Sequence, residues 1–195
     1  MALTWEFTGG STPLDDDERL GLLATWVADR AQLDEVEQYN IELGAQWGLG
    51  RRRKPMDVLT EEFVKRLHEK MYGEVWKWAG EFRRTEKNLG VDPVRIATDL
   101  RQLLDDARYW VEHATYTPDE IAIRMNHRVV LIHCFANGNG RHSRMMADVL
   151  ARSLGRPLFT WGIDTDPATA RTRYFQALHV ADRGDIRPLI AFARS

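Results

Sequence analysis

Several protein classes are excluded by what the chain lacks. It has one cysteine, Cys134, in 195 residues, which rules out an intramolecular disulfide and suits a reducing compartment. No apolar run approaches the roughly 20 residues of a membrane span. The opening "MALTWEFTGGSTPLDDDE" has neither a basic leader nor an apolar signal core. Formal net charge is only -2, so the broad basic field that dominates nucleic-acid binding is missing. The one basic run, "RRRK" at 51–54, has no aromatics interleaved and reads as a solvated connection between helices. There is no internal repeat, no low-complexity tract and no linker long enough to divide domains. These absences leave a cytoplasmic protein with one substantial core, 44% hydrophobic and 29% charged, and no membrane or direct nucleic-acid partner.

What is present is mostly helix signal. Asp29 precedes "RAQLDEVEQYNIELGAQW" with Gln32 at capping-box spacing, and Thr60 precedes "EEFVKRLHEKMYG" with Leu59 and Val64 at staple positions. Val94, Ala97, Leu100, Leu104, Ala107 and Val111 make a stripe at helical spacing. Thr117, Pro118 and Glu120 open the next helix, and Gly155 closes the one after it. Two more helices, from Asp166 and Asp185, finish the chain. Only 80–96 breaks this rhythm, with Gly80, Gly90 and Pro93; short segments at 82–85 and 89–91 predict a small β-hairpin. The expectation is an all-α fold of about seven or eight helices with one hairpin flap.

Residues 133–144, "HCFANGNGRHSR", lie between two of these helices. A helix beginning near Asn139 leaves the backbone N–H groups of Gly138, Asn139, Gly140 and Arg141 without intrahelical acceptors, at the positive end of the helix dipole. The two glycines let an anion approach closely. Arg141 and Arg144 share a face of the first turn and can hold further phosphate oxygens in forked geometry. His133 has a side chain whose ordinary pKa suits a general base. The alternative is a plain connection with Asn and Gly for positive φ and solvated arginines. A transition-metal site from His127, His133, Cys134 and His142 fits no common zinc spacing. Cys134, between Ile132 and Phe135, reads as a small hydrophobe rather than a nucleophile.

The stretch resembles the signature of the Fic (filamentation induced by cAMP) family, His-Pro-Phe-x-Asp/Glu-Gly-Asn-Gly-Arg-x-x-Arg, at His133, Phe135, Gly138, Asn139, Gly140, Arg141 and Arg144. "WKWAGEFRRTEKNLGV" is similar to the family's Trp-Ala-Gly segment and flap, and "RYFQALHVADRGDIRPLIAF" to its closing helices. Over nearly the whole chain the pattern looks like the bacterial subgroup called mobile mystery protein B. The resemblance implies transfer of AMP from ATP to a Tyr, Ser or Thr hydroxyl of a target protein. His133 would be the base. Gly138, Asn139, Gly140, Arg141 and Arg144 would hold phosphates, and Phe135 would pin the loop. Thr85, Glu86, Lys87, Asn88, Leu89, Gly90 and Val91 would form the flap that docks the target by strand addition. Tyr174 and Phe175 are candidates for an adenine pocket. A toxin role with a separate DNA-binding or antitoxin partner is compatible with this pattern; it carries no sign of oligomeric state. The chain departs from the signature twice. Cys134 replaces proline, and Asn137 replaces the acidic Mg²⁺ ligand, leaving a neutral amide oxygen as a weak metal candidate. The rival function is a nucleotide- or partner-binding module with little catalysis, or transfer of another phosphate-linked group.

Family members often carry an inhibitory helix whose glutamate pairs with the second signature arginine. Here the helix at about 30–47 is the candidate. Glu37 lies on its buried face, i+4 from Leu33, whereas Glu35 points away. Arg144 is its expected partner. The Ser/Thr of the inhibitory pattern is replaced by Leu33 and its Gly/Asn by Gln38, so a rim glutamate is the alternative. The division expected is 1–50 as an amino-terminal segment bearing this helix and 51–195 as the catalytic core, in one compact domain.

Overall fold

The structure is a computed structural model that describes residues 15–195; the first fourteen residues of the expected amino-terminal segment lie outside the described residues. Among the described residues there are nine α-helices and no strand. They are α1 Asp16–Arg19, α2 Arg30–Leu49, α3 Pro55–Val58, α4 Glu61–Tyr72, α5 Ile96–Glu112, α6 Pro118–Ile132, α7 Asn139–Ser153, α8 Pro167–Asp182 and α9 Arg187–Ala193, with a 3-10 turn at Pro93–Arg95 before α5. Two of the nine, α1 and α3, are single turns, so the long helices number seven, as the sequence pattern predicts.

The caps account for the boundaries. Asp29 accepts the Gln32 N–H at 2.9 Å, Thr60 that of Phe63 at 3.0 Å, and Thr117 that of Glu120 at 3.3 Å. The expected reciprocal bonds are redirected. Gln32 accepts from Ala28 N rather than from the cap residue, and the Glu120 carboxylate pairs with Arg124 at 2.7 Å. An N3 side chain has several local donors in reach, and sequence spacing alone does not choose among them.

The central element is α7, with ten of its fifteen residues buried. It packs along α6, while α2, α3 and α4 touch it from other sides. The buried face of α2 is Leu33, Glu37, Asn40, Gly44 and Gly48. Gly44 lets α2 lie directly on α4: a Cβ there would stand 2.5 Å from Met71 Cγ. This close crossing carries Glu37 to the start of α7.

The hairpin expectation is corrected at the level of pairing. Residues 82–85 and 89–91 form a loop, not a two-stranded ladder. The Arg83 guanidinium occupies the carbonyls of Thr85 and Val91 from within the loop. The N–H groups of Arg83 and Val91 donate outward, to Cys134 O at 2.9 Å and Ile132 O at 3.4 Å. With both of these N–H groups turned outward, Arg83 and Val91 have no backbone donor left for a ladder with one another.

Candidate functional site

The 133–138 connection is held by side chains from three directions. His133 ends α6 in the left-handed region, φ 56° and ψ 61°, and its N–H donates to Val129 O at 3.1 Å. The chain therefore turns inward, burying Cys134, Phe135 and Ala136. Asn139 closes the turn with both ends of its carboxamide: Oδ1 accepts the Phe135 N–H at 2.9 Å, and Nδ2 donates to Phe135 O at 2.7 Å. Phe135 stacks on His68 with centroids 3.8 Å apart, and meets His142 edge-on at 5.0 Å. His68 Nδ1 accepts the Gly80 N–H at 3.0 Å, which assigns the proton to Nε2, and Nε2 donates to Asn137 O at 3.1 Å. Burial holds the His68 pKa well below its ordinary value, in keeping with that neutral tautomer. Sequence reasoning missed His68; its only trace is a histidine on the apolar face of α4.

The helix amino terminus forms next. Gly138 has φ 77°, and a Cβ there would lie 2.6 Å from the buried Tyr72 ring, so both conformation and space require glycine. The first ladder bond of α7 is His142 N–H to Gly138 O, which leaves the N–H groups of Asn139, Gly140 and Arg141 without intrahelical acceptors. Gly140 is exposed with nothing within 4 Å of its Cβ position, so the backbone there is open to an incoming anion. The Asn139 side chain faces the loop and only its backbone faces the anion position. The Asn137 amide oxygen accepts the Gly138 N–H. No group of three His, Cys, Asp or Glu able to hold a metal ion occurs among the described residues. At the signature position for Mg²⁺, Asn137 thus offers a neutral oxygen that the Gly138 N–H already engages.

Glu37 is buried and reaches this terminus, but its partner is not Arg144. One oxygen accepts from Trp76 Nε1 at 2.8 Å and the other from Arg141 at 2.8 Å. Arg144 instead lies over the ring of Tyr174, 5.3 Å from its centroid. The expected pairing is corrected by one helical turn: from the α2–α4 crossing, the Glu37 carboxylate meets the side chain at the very start of α7. Trp76, the first tryptophan of "WKWAG", supplies the second donor, a role that the sequence does not reveal.

The loop at 85–91 covers His133 from the other side. A Cβ on Gly90, φ 104°, would stand 2.5 Å from His133 Cβ. Lys87 is drawn inward to Glu18 and Asp15 beside α1, and Thr85 Oγ1 donates to Glu18 at 3.3 Å. Glu86, Asn88, Leu89 and Gly90 stay exposed. Arg83, another residue that sequence reasoning passed over, joins loop and histidine: Nε donates to His133 O at 2.7 Å.

Residues 58–151 match the Fic/DOC family. This stretch is a Fic/DOC domain. The chain is 29% identical over 143 residues to protein adenylyltransferase fic-1 of Caenorhabditis elegans, covering 71% of this chain and 27% of that protein. It is 32% identical over 141 residues to protein adenylyltransferase Fic of Drosophila melanogaster, again covering 27% of the relative. The chain thus spans little more than a quarter of the length of these curated relatives. Among solved structures it is similar to the BepC protein of Bartonella tribocorum with bound AMPPNP: TM-score 0.67 at 18% identity, covering 88% of this chain and 89% of that one. It is also similar to C. elegans Fic-1, with TM-score 0.64 at 24% identity, covering 82% and 48%. At these identities the likeness to solved structures is one of fold, and the all-α fold is the Fic fold.

Electrostatics separate the titratable groups of the Fic/DOC domain. Burial, reinforced by the positive charges of Arg83 and Lys87, lowers the His133 pKa to about 4, so the imidazole is unprotonated at neutral pH. Burial pushes the Cys134 thiol up to about 12, which removes thiolate character and agrees with its reading as a small hydrophobe. Tyr174 is buried, and its hydroxyl donates to Asn126 at 3.3 Å. Phe175 is half-buried, with Arg171 5.7 Å from its ring centroid. Tyr174 is thus a core residue that braces Arg144, with no face left open for a base.

Proposed function

We propose that this Fic/DOC domain is a protein adenylyltransferase, carrying AMP from ATP to a side-chain hydroxyl of a target protein. The observation that carries this reading is a buried histidine, His133, just before a helix amino terminus that offers three backbone donors and two arginines. In this reaction a His133 ring nitrogen takes the proton of the target hydroxyl. The hydroxyl oxygen bonds to the α-phosphorus, the bond from that phosphorus to the bridging oxygen breaks, and pyrophosphate leaves with those electrons. The N–H groups of Asn139, Gly140 and Arg141, with the Arg141 and Arg144 side chains, hold the phosphates and stabilise the charge that develops on them. The names of the curated relatives support the reading.

The finer points are part of the same proposal. Mg²⁺ enters with the nucleotide, since Asn137 offers only a neutral oxygen already engaged by Gly138. Glu37 on α2 inhibits by holding Arg141 away from phosphate, so that 1–50 acts as the regulatory segment of a 51–195 core. The exposed part of the 85–91 loop receives the target. The chain stands nearest in pattern to the mobile mystery protein B subgroup and acts in a bacterial cytoplasm, beside a separate antitoxin or DNA-binding partner. The engaged Asn137 also favours a second reading, a nucleotide-binding module with little catalysis. Calorimetric ATP binding together with pyrophosphate release separates the two. In Glu37→Gly protein the enzyme reading expects release that His133→Ala abolishes without loss of binding; binding with no release, with or without His133, favours the module.

A further inference from the structure

Arg83 is 5% exposed, yet none of its donors goes to a carboxylate among the described residues. Nε donates to His133 O at 2.7 Å, one terminal nitrogen to Thr85 O at 2.8 Å, and the other to Val91 O, while its backbone N–H goes to Cys134 O at 2.9 Å. A guanidinium is costly to bury unless its rigid fork is well matched, and here the fork meets three carbonyls. The most telling of the three belongs to His133. That residue is left-handed at φ 56°, a strained conformation for a residue that carries a β-carbon, and such strain persists only where neighbours over-determine it. Arg83 bonds the carbonyl of the strained residue itself. From the same position it closes both ends of the 85–91 loop, whose Gly90 packs on His133 Cβ.

We propose that Arg83 is a positioning residue for the base. Its fork joins the strained His133 backbone and both ends of the 85–91 loop into one unit, so His133 is aligned only while the loop is closed over it. A target backbone laid along the loop and a base aimed at the target hydroxyl are then one event. The catalytic part of this inference rests on the adenylyltransferase reading; the mechanical part does not.

Arg83→Lys and Arg83→Gln, each in full-length Glu37→Gly protein, test it through three readouts: AMP-transfer kinetics, amide exchange at Val91, and NMR titration of the His133 imidazole. Arg83→Lys keeps a cation beside His133 but cannot reach three carbonyls. It leaves the His133 titration near that of the parent, whereas Arg83→Gln raises it, because one of the positive charges that lower it is gone. Both variants lose at least about tenfold in kcat at unchanged KM for ATP, and in both the Val91 amide exchanges faster. Parental kcat in Arg83→Lys overturns the proposal, because charge alone would then suffice. If the parent transfers no AMP, the adenylyltransferase reading fails on its own, and unchanged Val91 exchange in both variants overturns the positioning role independently. Should Arg83→Gln not fold, Gly90→Ala presses on His133 from the loop side and must give the same loss of kcat at constant KM.

Discussion

At the residue scale, the two glycines of "GNG" have different tasks. Gly138 combines φ 77° with a Cβ position 2.6 Å from the Tyr72 ring, whereas Gly140 has open space. Gly138→Ala should therefore destabilise the fold by about 2–4 kcal/mol, from the left-handed cost together with overpacking. Gly140→Ala should hold or raise the melting temperature, because alanine is favoured over glycine in a helix by up to about 1 kcal/mol. It should nevertheless weaken ATP binding at least tenfold by blocking the backbone. Thermal melts and calorimetry on both variants check this, and unaltered ATP affinity in Gly140→Ala would mean that no phosphate approaches there. These glycines were legible because glycine at a helix start has few physical explanations. His68 and Arg83 were not. Each is defined by partners far along the chain, Asn137 for one and His133 for the other, and no local spacing encodes them.

At the element scale, α2 shows how much a helical pattern can and cannot say. Spacing placed Glu37 on the buried face of the helix, and the structure has it there, but the identity of its partner depends on where α2 crosses α4. Gly44 and Met71 set that crossing, and it brings the carboxylate to Arg141 and Trp76 rather than to Arg144. The same limit applies to the loop at 85–91. Glycine punctuation announced a break between helices, while the internal guanidinium that replaces a ladder left no periodic trace. Glu37→Gln keeps an acceptor for Trp76 Nε1 while removing the charge that holds Arg141; Glu37→Gly removes both and adds about 1 kcal/mol of helix cost. Both should bind ATP more tightly than the wild type, with Glu37→Gly melting at the lower temperature. Equal ATP affinity in all three proteins would remove α2 from any inhibitory role.

At the scale of the whole molecule, the buried histidines set the acid limit. The pKa values of His133 and His142 are each lowered by burial from 6.5 to about 4. Their contribution to stability is complete above pH 6.5 and is lost as pH falls through 4, because the unfolded chain binds the protons first. His68 acts in the same direction. Asp148, raised by burial from 3.8 to about 6, acts oppositely: its protonated form favours the fold, and that contribution grows as pH falls from 6 to 4. His133 and His142 against Asp148 give a net loss of about 3 kcal/mol between pH 7 and 4.5, to which His68 adds, so denaturant midpoints should decline steadily across that range. A flat profile would mean that the buried histidines are protonated in the folded state. The all-α fold was legible at this scale because side-chain caps open α2, α4, α6 and α8 and apolar residues recur at helical spacing; the assembly around α7 was not, because it depends on contacts between helices distant in sequence. The central claim, that an unprotonated His133 and the α7 terminus together transfer AMP, is tested most directly by incubating Glu37→Gly protein with ATP labelled at the α- or the γ-phosphate, with and without His133→Ala. The account predicts protein-bound label from the α position alone, lost with His133. Label from the γ position, or α label that survives the histidine substitution, would contradict it.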